Sequence, residues 1–206
     1  MDYINAYATR FAAVRTAVFT RRDALSWAGK LGLALAFAAM TGLAAQIRIP
    51  LPFSPVPITG QTFAVLAAGI LLGRNFGGVS MIMYAGLGAA GIPWFNGGIG
   101  GPAVLTGPTG GYLAGFIVAA MIIGYVSDRY PTARRFGPMF ALMLTVDLLV
   151  IYGLGLLWLA IYLSVIKGAA VSFAGVFALG AAPFIAGDIV KAAAAALMAR
   201  SVLPKA

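Results

Sequence analysis

The segment FAGVFALGAAPFIAGDIVKAAAAALMAR, residues 173–200, decides the fold. It is apolar over more than the roughly 20 residues that a bilayer crossing requires, and its only ionisable groups are Asp188, Lys191 and the terminal Arg200. The rest of the chain repeats this pattern. Apolar runs fall near 31–47, 58–73, 76–92, 107–127 and 136–163, and with the first they predict an all-α membrane protein of six transmembrane helices. The whole composition agrees: 62% of the 206 residues are hydrophobic and 9% are charged, which lies outside the range of soluble domains and leaves no room for one beside the spans.

Charge sets the orientation. With six spans both termini share a side, and Arg10, Arg15, Arg21, Arg22, Lys30, Arg74, Arg129, Arg134, Arg135, Arg200 and Lys205 all fall there. Only Arg48 and Lys167 lie in the opposite loops, so the positive-inside rule predicts cytoplasmic N and C termini in the inner, cytoplasmic membrane. The net charge of +9 is thus a topology signal, and without a basic patch interleaved with aromatics it excludes nucleic acid as a partner. Residues 1–27 read as a basic amphipathic segment on the membrane surface, with Tyr3, Ile4, Tyr7, Phe11, Val14, Val18 and Phe19 spaced around the arginines; residues 28–206 form the membrane domain. A cleaved signal peptide fits poorly, because the charged lead is long and no clear A-x-A site follows.

Spans two and three are separated only by Arg74 and Asn75 and are short, which predicts a tight hairpin. The two longest outer connections are rich in Pro and Gly. The first, from Arg48 through Pro55 and Pro57 to Thr59 and Gln61, suits a lid, and the second, near 93–106, carries Trp94, Phe95 and Asn96. Backbone this irregular is tolerated at membrane depth only when it is buried in protein or lines a cavity. Trp94 and Phe95 fit an interfacial aromatic belt equally well. There is no internal repeat of the kind that builds the common secondary transporters.

Cys, His and Glu are absent, which removes thiolate and imidazole nucleophiles, His-ligated metals and the usual general bases. No catalytic residue, metal site or cofactor is expected. No G-x-x-x-x-G-K-[ST] occurs, so ATP-driven work needs a partner; Gly98, Gly100 and Ala103 match a dinucleotide fingerprint only superficially, since no βαβ unit surrounds them. What remains is the acid and base in the last span. Asp188 and Lys191 stand at i and i+3 on one helix face, and Asp188 lies about 18 Å of helix from Arg200, near mid-membrane. A charge there costs on the order of 3 kcal/mol, so the pair is a functional candidate, against the alternative that the two simply neutralise each other. It offers an acceptor for N–H donors and a cation for a carboxylate. Pro183 frees a carbonyl one turn earlier and is expected to bend the helix.

Asp147, midway along span five, is the other buried acid; a ligand contact and a hydrogen bond to a neighbouring helix are both open readings. GPTGGYLAGF, residues 107–116, opens span four with Gly111 and Tyr112, where Tyr112 could close over a ring and the glycines suit either a ligand or plain helix packing. Ala34 and Ala38, with Gly42 a turn further on, make a smooth stripe for another helix.

The ordered series RIPLPFSPVPITGQTF (48–63), GIPWFNGGIGG (91–101), GPTGGYLAGF (107–116) and PFIAGDIVK (183–191) resembles the BioY family. That resemblance implies a biotin-binding S component of an energy-coupling-factor (ECF) transporter, with biotin held under the first outer loop. It implies that Asp188 accepts from the ureido N–H groups, that Lys191 meets the valerate carboxylate, and that Asn96, Tyr112 and Gly111 lie close by. It also implies a transmembrane coupling subunit, met by Ala34 and Ala38, and cytoplasmic ATPases. The alternatives are uptake of another vitamin such as thiamine, an intramembrane aspartyl enzyme using Asp147 and Asp188, and a non-binding structural subunit.

Overall fold

The computed structural model describes residues 13–17 and 19–204. After helical residues in the leading segment, the bundle is built, in chain order, from α1 (Trp27–Gln46), α2 (Gln61–Ala89), α3 (Gly110–Arg129), α4 (Phe136–Ile166), α5 (Phe173–Gly180) and α6 (Ile185–Val202). The first four are each long and apolar enough to cross a membrane, and α5 with α6, bent by 51° across a short break, makes a fifth such stretch. Serines start two of them: Ser26 accepts the Gly29 N–H at 3.2 Å ahead of α1, and Ser172 accepts that of Gly175 at 3.1 Å ahead of α5.

α2 is not one rod. Gly73 has φ 74° and ψ −176°, a conformation that L side chains avoid, and there the chain doubles back. Gln61 Nε2 donates to Tyr84 Oη at 2.7 Å, although 23 residues of straight helix would part them by about 34 Å. A Cβ added at Gly77 would stand 3.1 Å from Gly69 Cα, so bare backbone faces bare backbone between the arms 61–72 and 74–89. These arms are about 18 and 24 Å long, less than the roughly 30 Å apolar core. The expected hairpin is therefore present, turning at Gly73, and the Asp128 carboxylate accepts the freed Arg74 N–H at 3.1 Å.

Small residues set the packing. α1 buries Ala34, Ala38, Thr41, Gly42 and Ala45, with α2 as its main neighbour and Trp94 over Gly42, and α6 buries Ala192, Ala195, Ala196 and Ala199 against α2 and α4. Ala34 and Ala38 have no exposed surface. The stripe expected to meet a partner subunit thus lies on the inward face of α1 and is covered by the chain's own helices. Of the basic leading segment, residues 1–12 and 18 lie outside the described residues, as does Lys205. The described part docks on the bundle: Phe19 is buried, and Arg15 Nη1 donates to the carbonyls of Arg200 at 3.2 Å and Leu203 at 3.4 Å, where a cation meets the negative end of α6.

Candidate binding site

Pro183 prepares the site by what it lacks. Without an N–H it cannot satisfy the carbonyl four residues back, Leu179, and the helix breaks over 181–184. The released carbonyls are reused: Leu179 O accepts from Ser54 Oγ at 2.6 Å, and Gly180 O accepts from Tyr112 Oη at 2.7 Å. The break at this proline therefore ties both the first outer loop and α3 to the end of α5. That loop is a small flap, in which strand β1 (Arg48–Ile49) pairs antiparallel with β2 (Ile58–Thr59), Arg48 opposite Thr59. Between the flap, the 91–101 loop and helices α2, α3, α4 and α6 lies a cavity.

Asp188 and Lys191 both line it, as the i, i+3 spacing predicts. Lys191 Nζ donates to Asp188 Oδ1 at 2.7 Å, and the Tyr152 hydroxyl donates to Asp188 Oδ2. The carboxylate is 3% exposed, so each oxygen has one fixed donor and one remaining lone-pair direction for a guest. Lys191 retains two of its three N–H donors. Tyr112 lines the same wall, its ring edge-on to Tyr152 with centroids 6.5 Å apart. It is 7% exposed and closes over a bare Gly155.

Opposite, Gln61 and Tyr84 form a buried pair, and the Thr59 hydroxyl donates to Gln61 Oε1 at 2.9 Å. The glycine-rich loop is anchored from two sides. Gln46 Nε2 donates to the carbonyls of Trp94 at 3.2 Å and Phe95 at 3.1 Å, and Trp94 Nε1 donates to Tyr84 O at 2.9 Å. Phe95 is buried and lines the cavity together with Asn96, so it is a wall residue and not a belt residue.

Several expected site residues stand elsewhere. Gly111 does not line the cavity; a side chain there would strike Leu154 O and Trp158 Cβ, so its bareness serves the α3–α4 contact. Of the lid residues, Pro57, Thr59 and Gln61 reach the cavity, whereas Pro55 is exposed and Arg48 lies against Gly97. Asp147 is fully buried, is absent from the cavity wall, and has no hydrogen-bond partner on either oxygen among the described residues. Tyr152 was not foreseen. It follows a π-helical turn, Asp147–Ile151, whose closing bond runs from Tyr152 N–H to Asp147 O. Such turns concentrate at functional sites.

A model described as the BioY family matches residues 15–206. The chain is 44% identical over 138 residues to a probable biotin transporter BioY of Methanothermobacter thermautotrophicus, which covers 67% of this chain and 88% of that relative. It is 41% identical over 174 residues to a probable biotin transporter BioY of Pyrococcus horikoshii, with 84% and 94% covered. It is 36% identical over 160 residues to a biotin transporter BioY of Rhizobium etli, with 75% and 82% covered. Among solved structures, the S-component for biotin from an ECF-type ABC transporter superposes with a TM-score of 0.73 at 25% identity, covering 85% of this chain and 93% of that one.

Proposed function

Because the chain belongs to the BioY family, we infer that it binds biotin for uptake, as the substrate-binding component of an ECF-type transporter. The observation that carries this is the Asp188 carboxylate, buried in a cavity beneath a flap and held by Lys191 and Tyr152 with lone pairs to spare. Biotin carries a ureido group at one end and a carboxylate at the other, parted by a tetrahydrothiophene ring and a chain of four methylenes. Lys191 Nζ and Asp188 Oδ1 are only 2.7 Å apart, so the intact pair is one locus that grips one end of the ligand. A ureido group fits it, with N–H donating to Asp188 and C=O accepting from Lys191. The carboxylate then falls to other cavity donors, of which Asn96 and Thr109 have no side-chain partner among the described residues. Giving the carboxylate to Lys191 while Asp188 holds the ureido group would require the ion pair to open.

An aspartyl enzyme needs two carboxylates sharing one reaction space. Asp147 is sealed from the cavity, which supports binding over hydrolysis. The topology we propose has six crossings, with the two arms of α2 as short spans, the termini in the cytoplasm and the host the inner membrane. Energy comes from cytoplasmic ATPases through a transmembrane coupling subunit; contact of that subunit with Ala34 and Ala38 would require α1 to shift. Titration calorimetry of the purified chain tests the ligand: biotin saturates one site and thiamine gives no heat. Equal binding of thiamine, or no binding of biotin, would overturn the assignment.

A further inference from the structure

At the opposite end of the bundle from the biotin cavity, four cations line a second cavity: Arg22, Lys30, Arg74 and Arg129. Two carboxylates share it, and both are engaged. Asp23 holds Arg22 at 2.7 Å, and Asp128 accepts the backbone N–H of Arg74 at 3.1 Å. The Arg74 guanidinium lies 5.3 Å from the centre of the Tyr125 ring. That leaves the cationic heads of Lys30, Arg74 and Arg129 without a carboxylate or hydrogen-bond partner among the described residues, around one concave space with net positive charge.

This space does not end at the charges. Arg22, Leu33 and Leu72 also line an adjoining groove whose remaining wall is almost wholly apolar, with Phe19, Phe37, Leu71 and Val202. A cationic pocket running into an apolar furrow matches a molecule with an anionic head and a hydrocarbon tail. A soluble anion would leave the furrow unused, and an acidic peptide would bring backbone polar groups into it. The height also fits a headgroup: Trp27, at the start of α1, is 71% exposed and Tyr125 is 43% exposed, as aromatic residues at a membrane interface are. Basic pockets between membrane helices at this level receive anionic lipid heads.

We propose that this face binds one anionic phospholipid, with its phosphate among Lys30, Arg74 and Arg129 and one acyl chain along Leu33, Phe37 and Leu72. The site shares no residue with the biotin cavity, so it stands or falls independently of the ligand assignment. The test uses the full chain in detergent, with lipid binding followed by native mass spectrometry and thermal stability measured alongside. Phosphatidylglycerol is expected to bind about tenfold more tightly than phosphatidylcholine and to raise the melting temperature, while inorganic phosphate at equal concentration does neither. The Lys30→Gln/Arg129→Gln variant is expected to bring phosphatidylglycerol down to the phosphatidylcholine level with biotin binding unchanged, which shows that the variant is folded. Leu33→Gln is expected to weaken phosphatidylglycerol through the furrow alone. Equal binding of the two lipids would overturn the proposal, as would a phosphatidylglycerol preference that survives in the double variant. A stabilisation reproduced by inorganic phosphate would reduce the site to a simple anion pocket. If neither lipid binds, and the double variant instead loses a purified coupling subunit, the surface belongs to a protein partner and the proposal fails.

Discussion

Asp147 and Asp188 are the same residue type in the same apolar bundle, and their surroundings are opposite. Asp188 faces a cavity and has a donor on each oxygen, from Lys191 and Tyr152. Asp147 is fully buried, does not line the cavity that holds Asp188, and has no donor on either oxygen among the described residues. A carboxylate that is fully supplied yet still open to a guest is built to exchange partners. One that is enclosed and unsupplied has nothing to exchange. Burial in the membrane therefore does not by itself identify a binding residue; the supporting donors and the open lone pairs do.

The sharpest way to break this contrast is Asp188→Asn. The change keeps the shape, removes the charge that Lys191 and Tyr152 address, and turns one acceptor into a donor. We expect biotin affinity to fall at least about 100-fold, or about 2.7 kcal/mol, as befits lost hydrogen bonds to a charged group, with calorimetry as the readout. Unchanged affinity would make Asp188 as inert as Asp147 and remove the basis of the comparison. Lys191→Ala should come next, at about 30-fold. It also discriminates between the two ends of the ligand. If the pair grips the ureido group, biotin and its methyl ester lose affinity by the same factor; if Lys191 meets the carboxylate, only biotin loses.

Tyr152→Phe is a smaller perturbation, because it deletes one hydroxyl and leaves the ion pair in place. One hydrogen bond to a charged group predicts a loss of about 1.5 kcal/mol, or roughly tenfold in affinity. A loss equal to that of Asp188→Asn would mean that the tyrosine, and not the lysine, holds the carboxylate in position.

Sequence periodicity was enough for the membrane fold, the short hairpin, the Asp188–Lys191 bond and the bend at Pro183, because each follows from a local rule: span length, i, i+3 spacing, or a missing N–H. Tyr152 could not be found that way. On a regular helix it would stand about 140° around from Asp147, five residues back, but a π turn lies between them and shifts every later position, so spacing along the sequence does not tell which face Tyr152 takes. Gly111 failed for a related reason. A glycine marks close approach without saying what approaches, and here it is Leu154 and Trp158 of α4 and not a ligand. The Ala34/Ala38 stripe was legible as a packing face, but the partner that fills it belongs to the same chain.

Asp147 yields the smallest expected effect on binding and the most informative sign. Its side chain does not reach the cavity, so Asp147→Leu should leave the biotin dissociation constant within about twofold. Stability should move the other way. Replacing a buried polar group that has no partner with an apolar side chain of the same branching removes a desolvation penalty of about 1–3 kcal/mol, which exceeds the overpacking cost of the two larger methyls where the neighbouring side chains can shift. The variant is therefore expected to melt higher than the parent chain in detergent, with Asp147→Asn, which keeps the polarity, gaining less. A lower melting temperature together with weaker biotin binding would show that Asp147 is satisfied in the working protein, and the two acids would then differ in degree and not in kind.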